Sequence, residues 1–268
     1  MIIDCFPFFN ELDVLELRLN LLNNHVSKFV LVEASKTQSK IDKPFYFEEN
    51  KDRYANFLDK IVHIKIEDYP NEDGWAMENF QRNCINIGIE KLDLNDDDII
   101  AISDVDEIWN PKKINEILYN LKNEKFVASL MEYFVFFLNL KTVNKNWTGT
   151  VFTKFSTYKP FTPQYIRNIK DKILTVKNCG WHFGYQGGKE MVYEKYLSCI
   201  EPIDKNCLPS KEDFYQKFND RIKHGGSFIF SDNLSDTSIK LEKIDIFECF
   251  DFPEHIKINH NRYKKMLL

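Results

Sequence analysis

No stretch of this 268-residue chain approaches the roughly 18 consecutive apolar residues that a membrane-spanning helix needs. The longest aromatic run, YFVFFLNL at 133–140, has the length of a buried strand. The N-terminal MIIDCFPFF has no basic leader and no long apolar core, which argues against a secretory signal. Six cysteines, at 5, 84, 179, 199, 207 and 249, include no C-x-x-C pair. Without an export signal they read as reduced thiols, and the sequons at Asn146 and Asn233 carry no glycosylation meaning. The compartment expected is the cytoplasm. Positive charge is also short: net charge is −5 and the pI about 5.8, so no nucleic-acid partner held by a basic surface is expected. There is no G-x-G-x-x-G, P-loop, H-E-x-x-H or G-x-S-x-G, which removes support for a dinucleotide fold, a P-loop NTPase, a zincin and a serine hydrolase. With neither repeats nor a low-complexity linker, residues 1–268 read as a single domain.

Aromatic residues are plentiful at 15%, led by 23 Phe and 12 Tyr; most must be core, and a few are free to stack on a sugar. Strand-like runs at 1–6, 28–34, 61–66 and 98–103 alternate with helical patterns at 10–24, 50–60, 75–92 and 111–123. The continuous apolar KFVLVEA (28–34) is typical of a strand buried on both faces. This alternation predicts an α/β fold with a mostly parallel central sheet flanked by helices. From 125 the pattern changes, with strands at 125–139 and 148–158, a helix near 163–169, a strand–turn–helix over 173–200 and a helix at 210–223. The ligand-binding half is placed at about 1–123 and the second half at about 124–268.

In such sheets ligands lie beyond the carboxyl ends of the strands, where Glu33 and the segment DIIAISDVDEIW (98–109) fall. On an extended backbone, residues two apart face the same side, so Asp104 and Asp106 can reach one hard cation, Mg²⁺ or Mn²⁺. Three readings fit this local pattern. It can be an acidic surface turn, the D-x-D of a haloacid-dehalogenase-like phosphatase, or the D-x-D of a nucleotide-sugar enzyme. A Ca²⁺- or carbohydrate-binding module without catalysis is a further alternative.

Several segments taken in order narrow the choice: 2–22, KFVLVEA (28–34), KPFYFEENKDRY (43–54), DGWAMENFQRN (73–83), DDIIAISDVDEI (97–108), CGWHFGYQGG (179–188) and HGG (224–226). Together they resemble glycosyltransferase family 17. The resemblance implies a GT-A-like nucleotide-sugar-binding fold and metal-dependent transfer with inversion. It implies UDP-GlcNAc as donor and Mn²⁺ or Mg²⁺ as cofactor. The acceptor is a sugar hydroxyl of a glycan or glycolipid. Animal members carry a membrane anchor that does not precede the first strand here, which directs the acceptor toward a cell-surface or capsular glycan.

By the same resemblance Asp104 and Asp106 hold the metal and donor, and Glu107 orients a metal-bound water or supports the loop. His182 completes the metal shell; otherwise it is a hydrogen-bonded core histidine. Glu33 contacts the base or ribose, or caps the following loop. Arg82 forks onto the diphosphate, or pairs with Glu78 four residues earlier. Trp75 packs the start of its helix or lines the site, and Trp181 stacks on a sugar or fills core. Inverting transfer needs a base for the acceptor hydroxyl. Glu190 is the candidate and Asp213 the second choice, Glu190 being equally suited to a helix N-terminus.

Overall fold

The computed structural model describes residues 1–69, 74–198, 210–225 and 239–268. In chain order the elements are β1 (Ile2–Phe8), α1 (Leu12–Leu22), β2 (Lys28–Ala34), α2 (Tyr46–Glu49) and β3 (Ile61–Ile66). Then come α3 (Gly74–Asn83), α4 (Ile85–Ile89), β4 (Ile99–Ile102), β5 (Glu107–Trp109), α5 (Ile114–Asn120) and β6 (Val127–Val135). The chain continues through β7 (Leu140–Lys154), α6 (Phe155–Tyr158), α7 (Pro163–Asn168), β8 (Leu174–Val176) and β9 (Gly180–Gly184). It ends with α8 (Gly188–Ser198), α9 (Lys211–His224), β10 (Leu241–Lys243) and α10 (Glu254–Ile258). Cys199, Cys207, Asn233 and the end of the HGG turn lie outside the described residues.

The chain gathers into two compact units: Met1–Met131 with Trp147–His182, and Glu132–Asn146 with Phe183–Leu268. In the first, β3, β2, β1 and β4 lie side by side and parallel, as the α/β alternation predicts. Beyond β4 the sheet is mixed rather than mostly parallel. Residues 151–154 of β7 run antiparallel to β4, and β5 runs antiparallel to the start of β9. Strand β2 is buried at every position after Lys28, so both faces are covered. Its core neighbours include Ile3, Cys5, Ile64, Ile85, Ile100, Val151 and Ile166.

Three helical readings need correction. The helix expected over 75–92 breaks at Cys84, beyond which α4 runs against β2. Gly88 permits that approach, since a Cβ there would sit 2.3 Å from Val30 Cγ1. Ile87, on α4, is 44% exposed. Residues 51–60 form 3₁₀ turns, and Pro111–Lys113 make one 3₁₀ turn before α5.

In the second unit, β10 pairs antiparallel with the start of β7, and Phe136 N donates to Gly184 O at 3.1 Å. Aromatic rings fill this unit. Phe134 packs on Phe183 and Phe252, Phe136 on Phe218, and Phe214 on Tyr193 and Tyr196. Among the described residues, no helix is long and apolar enough to cross a membrane.

Candidate active site

The Asp104–Asp106 segment is a turn, not the extended backbone expected from the sequence. Glu107 N donates to Asp104 O at 3.0 Å, closing it directly after β4. Such a turn usually relies on Gly or Asn; here an arginine on α1 does the work. Arg18 is fully buried and forks onto Asp4 of β1, with Nε and Nη2 each 2.7 Å from a carboxylate oxygen. Its Nη1 donates to the carbonyls of Asp104 at 2.9 Å, Val105 at 3.2 Å and Glu107 at 2.9 Å. Its Nη2 also donates to Ser103 Oγ at 2.6 Å. Trp109 Nε1 donates to Asp4 at 3.3 Å. One guanidinium thus reads out the backbone of the whole turn.

The two aspartates keep different company. The Asp104 carboxylate bridges two guanidinium groups, Arg82 Nη2 at 2.8 Å and Arg167 Nη2 at 2.7 Å. Burial alone would raise its pKa, but the charges of Arg167 and Arg82 overcome this and hold it well below the usual carboxylate range. Arg82, on α3, also donates to Glu78 at 2.9 Å, the i, i+4 pair weighed for it, and to Gln164 at 2.5 Å. Its Nε is buried with no hydrogen-bond partner among the described residues. Arg167, on α7, donates to Glu107 Oε1 at 2.5 Å. Burial opposes the charge on both arginines, and the Asp104 carboxylate offsets that, so both stay cationic. Glu107 is fully buried, and its Oε2 accepts from Asp104 N at 3.1 Å. Its carboxylate therefore supports the loop.

Asp106 faces His182, with Oδ1 3.6 Å from Nε2. Backbone pairing brings them together: in the antiparallel β5–β9 ladder, Glu107 lies opposite His182 and Trp109 opposite Gly180. Gly180 makes that ladder possible. Its φ is +140°, and a Cβ there would lie 2.3 Å from Ile108 O and 2.7 Å from Trp109 Cα. Among the described residues, no three His, Cys, Asp or Glu side chains gather into a metal cage. The pair still suits a hard cation that keeps several waters and takes one or two protein donors plus phosphate oxygens.

The other predicted residues lie elsewhere. Glu33 is fully buried; its Oε1 accepts from Phe47 N at 2.9 Å and its Oε2 lies 3.0 Å from His63 Nε2. It holds the start of α2. Glu190 is exposed in the first turn of α8, in the second unit. Asp213 belongs to the N-cap of α9, where Ser210 Oγ accepts from its N–H at 3.1 Å. Trp75 is 53% exposed at the start of α3, whereas Trp181 is buried in β9. Sequence reasoning missed Arg18, Arg167 and Trp147. Arg18 had a signal: it lies three residues after Leu15 and four before Leu22, on the apolar face of a Leu-rich helix. Arg167 and Trp147 had none.

The model of the family described as glycosyltransferase family 17 matches residues 1–194. Curated relatives include the beta-1,4-mannosyl-glycoprotein 4-beta-N-acetylglucosaminyltransferases of Rattus norvegicus and Homo sapiens. The rat enzyme is 26% identical over 114 residues, 40% of this chain and 21% of the relative. The human enzyme is 27% identical over 106 residues, 37% of this chain and 20% of the relative. The matches thus span about a fifth of those relatives' length. Among solved structures, GalNAc-T7 with UDP, GalNAc and Mn²⁺ has a TM-score of 0.46 at 10% identity, covering 83% of this chain and 48% of that one. S. aureus TarS 1–349 has a TM-score of 0.42 at 11% identity, covering 82% and 71%. The family match takes in every residue from Arg18 to His182 that builds the turn and its partners, and on it this chain belongs to glycosyltransferase family 17.

Proposed function

We propose that this chain is a GT-A-type, metal-dependent, inverting glycosyltransferase that moves N-acetylglucosamine from UDP-GlcNAc to a sugar hydroxyl of a glycan or glycolipid. The observation that carries the reading is the Asp106–His182 pair, set by the β5–β9 register at the carboxyl end of a parallel strand, within the span of the family match. Asp106 and His182 would hold Mn²⁺ or Mg²⁺. A cation bound there supplies charge neutralisation for the departing diphosphate.

The protein's own groups do the rest. Arg18 and Glu107 keep the turn in one shape, so Asp106 needs no reordering when donor binds. Asp104 serves as an anchor: its two oxygens are taken by guanidinium groups, and it fixes the positions of Arg82 and Arg167. The acceptor proton goes to a carboxylate, for which Glu190 remains the candidate. A phosphatase reading needs a nucleophilic aspartate, and the paired oxygens of Asp104 fit that role poorly.

The test is UDP release from a panel of UDP-sugars with glycan acceptors, with and without Mn²⁺ or Mg²⁺. UDP-GlcNAc with metal is expected to be the productive combination. Asp106→Ala should abolish release, and Glu190→Gln should lower kcat by about 10²–10⁴-fold. No release from any donor, or full activity in Asp106→Ala, refutes the reading or its metal site respectively.

A further inference from the structure

Beside Asp106 and His182 stands an aromatic side chain whose surroundings are not those of ordinary core. The indole of Trp147 lies against the His182 imidazole, with centroids 4.4 Å apart and planes tilted by 32°. Its Nε1 donates to Glu107 Oε1 at 2.5 Å, the carboxylate oxygen that also accepts from Arg167. Lys170 Nζ sits 4.0 Å from the ring centroid and donates to Thr148 O at 2.6 Å. Trp147 itself is half-buried. The indole is therefore pinned at its edge by a carboxylate and at its π-face by a cation.

We propose that Trp147 is a positioning residue: it holds the His182 ring in the orientation that presents Nε2 beside Asp106. This rests on the reading of Asp106 and His182 as the metal pair. An imidazole turns about two side-chain torsions, and each must be fixed before the ring can act as a donor. The β5–β9 ladder fixes only the backbone of His182. Trp147 supplies the wall against which the ring rests. The same Glu107 that braces the Asp104–Asp106 turn braces Trp147, so both members of the pair are set from one buried carboxylate. Partners that orient a ligating histidine are typically worth about 10–100-fold in metal affinity.

The test reads Mn²⁺ binding in the presence of UDP from the free-ion electron paramagnetic resonance signal, on the full chain. Trp147→Leu is expected to raise the Mn²⁺ Kd by about 10-fold, and Trp147→Phe, which keeps a ring but loses the Glu107 bond, by less. In a His182→Ala background neither substitution should weaken binding further, because the indole acts through the imidazole. Melting curves without metal identify the variants that fold, and either variant suffices. A shift that vanishes in the His182→Ala background supports the proposal. An absent shift, or one that persists in that background, overturns it and leaves the metal pair standing. If wild-type protein with UDP takes up no Mn²⁺, the metal pair fails and this proposal fails with it.

Discussion

Replacing Arg18 by methionine removes the side chain that holds the Asp104–Glu107 turn, and the cost can be worked from its contacts. Methionine keeps most of the apolar volume beside Phe6, over whose ring the guanidinium lies at 4.4 Å. What is lost is the bidentate pair with Asp4, both side chains being fully buried, and the donors to three backbone carbonyls. Breaking a buried pair by deleting one partner costs about 3–5 kcal/mol, because the remaining charge is stranded. Unmet carbonyls cost less, since the turn can open toward water. With a urea slope of about 3 kcal/mol per M, the unfolding midpoint should fall by about 1–1.7 M. Asp4→Asn placed in the Arg18→Met background removes the stranded charge and leaves an amide oxygen for Trp109 Nε1. The double variant should therefore be more stable than Arg18→Met alone. Urea unfolding followed by tryptophan fluorescence measures both. A midpoint shift under about 0.3 M for the single variant, or a double variant no better than the single, refutes the stranded-charge account.

Gly180→Ala should lose His182 from the site without touching it. A φ of +140° lies in a region left almost entirely to glycine and costs an L side chain about 1–3 kcal/mol, and the methyl must also displace Ile108 O. Lower thermal stability together with lost UDP release is expected, and an alanine variant of wild-type stability would contradict the close β5–β9 approach. Acid stability reports on Asp104. Its folded pKa is depressed, so its contribution is complete above the ordinary carboxylate value of about 3.9 and is lost as pH falls through the folded value. The stability difference between wild type and Asp104→Asn should then be level from pH 7 to 5 and shrink below about 4, as read by urea midpoints; a difference that grows in acid would reverse the sign.

The parallel half of the fold was legible because burial on both faces writes itself into β2 and β4 as unbroken apolar runs. Strand β2 (Lys28–Ala34) and β3 (Ile61–Ile66) keep the very limits read from the sequence. The later strands were harder to bound, since β6 and β7 alternate less cleanly and the chain passes between compact units at 131/132, 146/147 and 182/183. The D-x-D segment was visible as a charge anomaly, but not its shape. Its turn is imposed by Arg18, 86 residues from Asp104, and no local pattern reports a tertiary hydrogen bond. For the same reason Arg167 and Trp147 were unreadable, while the pairing of Arg82 with Glu78 was legible because the two lie four residues apart on one helix. The three aspartates before β4 look alike in sequence but part company in the fold: Asp96 and Asp97 are exposed and pair with Lys159 and Lys154, whereas Asp98 is buried and accepts from Asn95 N at 2.7 Å.

The pairing of Glu107 with His182 also bears on how the protein comes into being. These two positions are 75 residues apart along the chain (182 − 107). A nascent polypeptide that has just released its first four parallel strands from the ribosome carries Asp106 without its imidazole neighbour. The pair can form only after β6, β7 and β8 have been synthesised and β9 has found the short β5 edge. Closing so long a loop is entropically costly, and only three residues of β5 reward it. The corner that joins Asp106 to His182 should therefore be the last part of the first unit to mature. Slowed translation before Gly180 would yield chains with an assembled parallel sheet and an unfinished site.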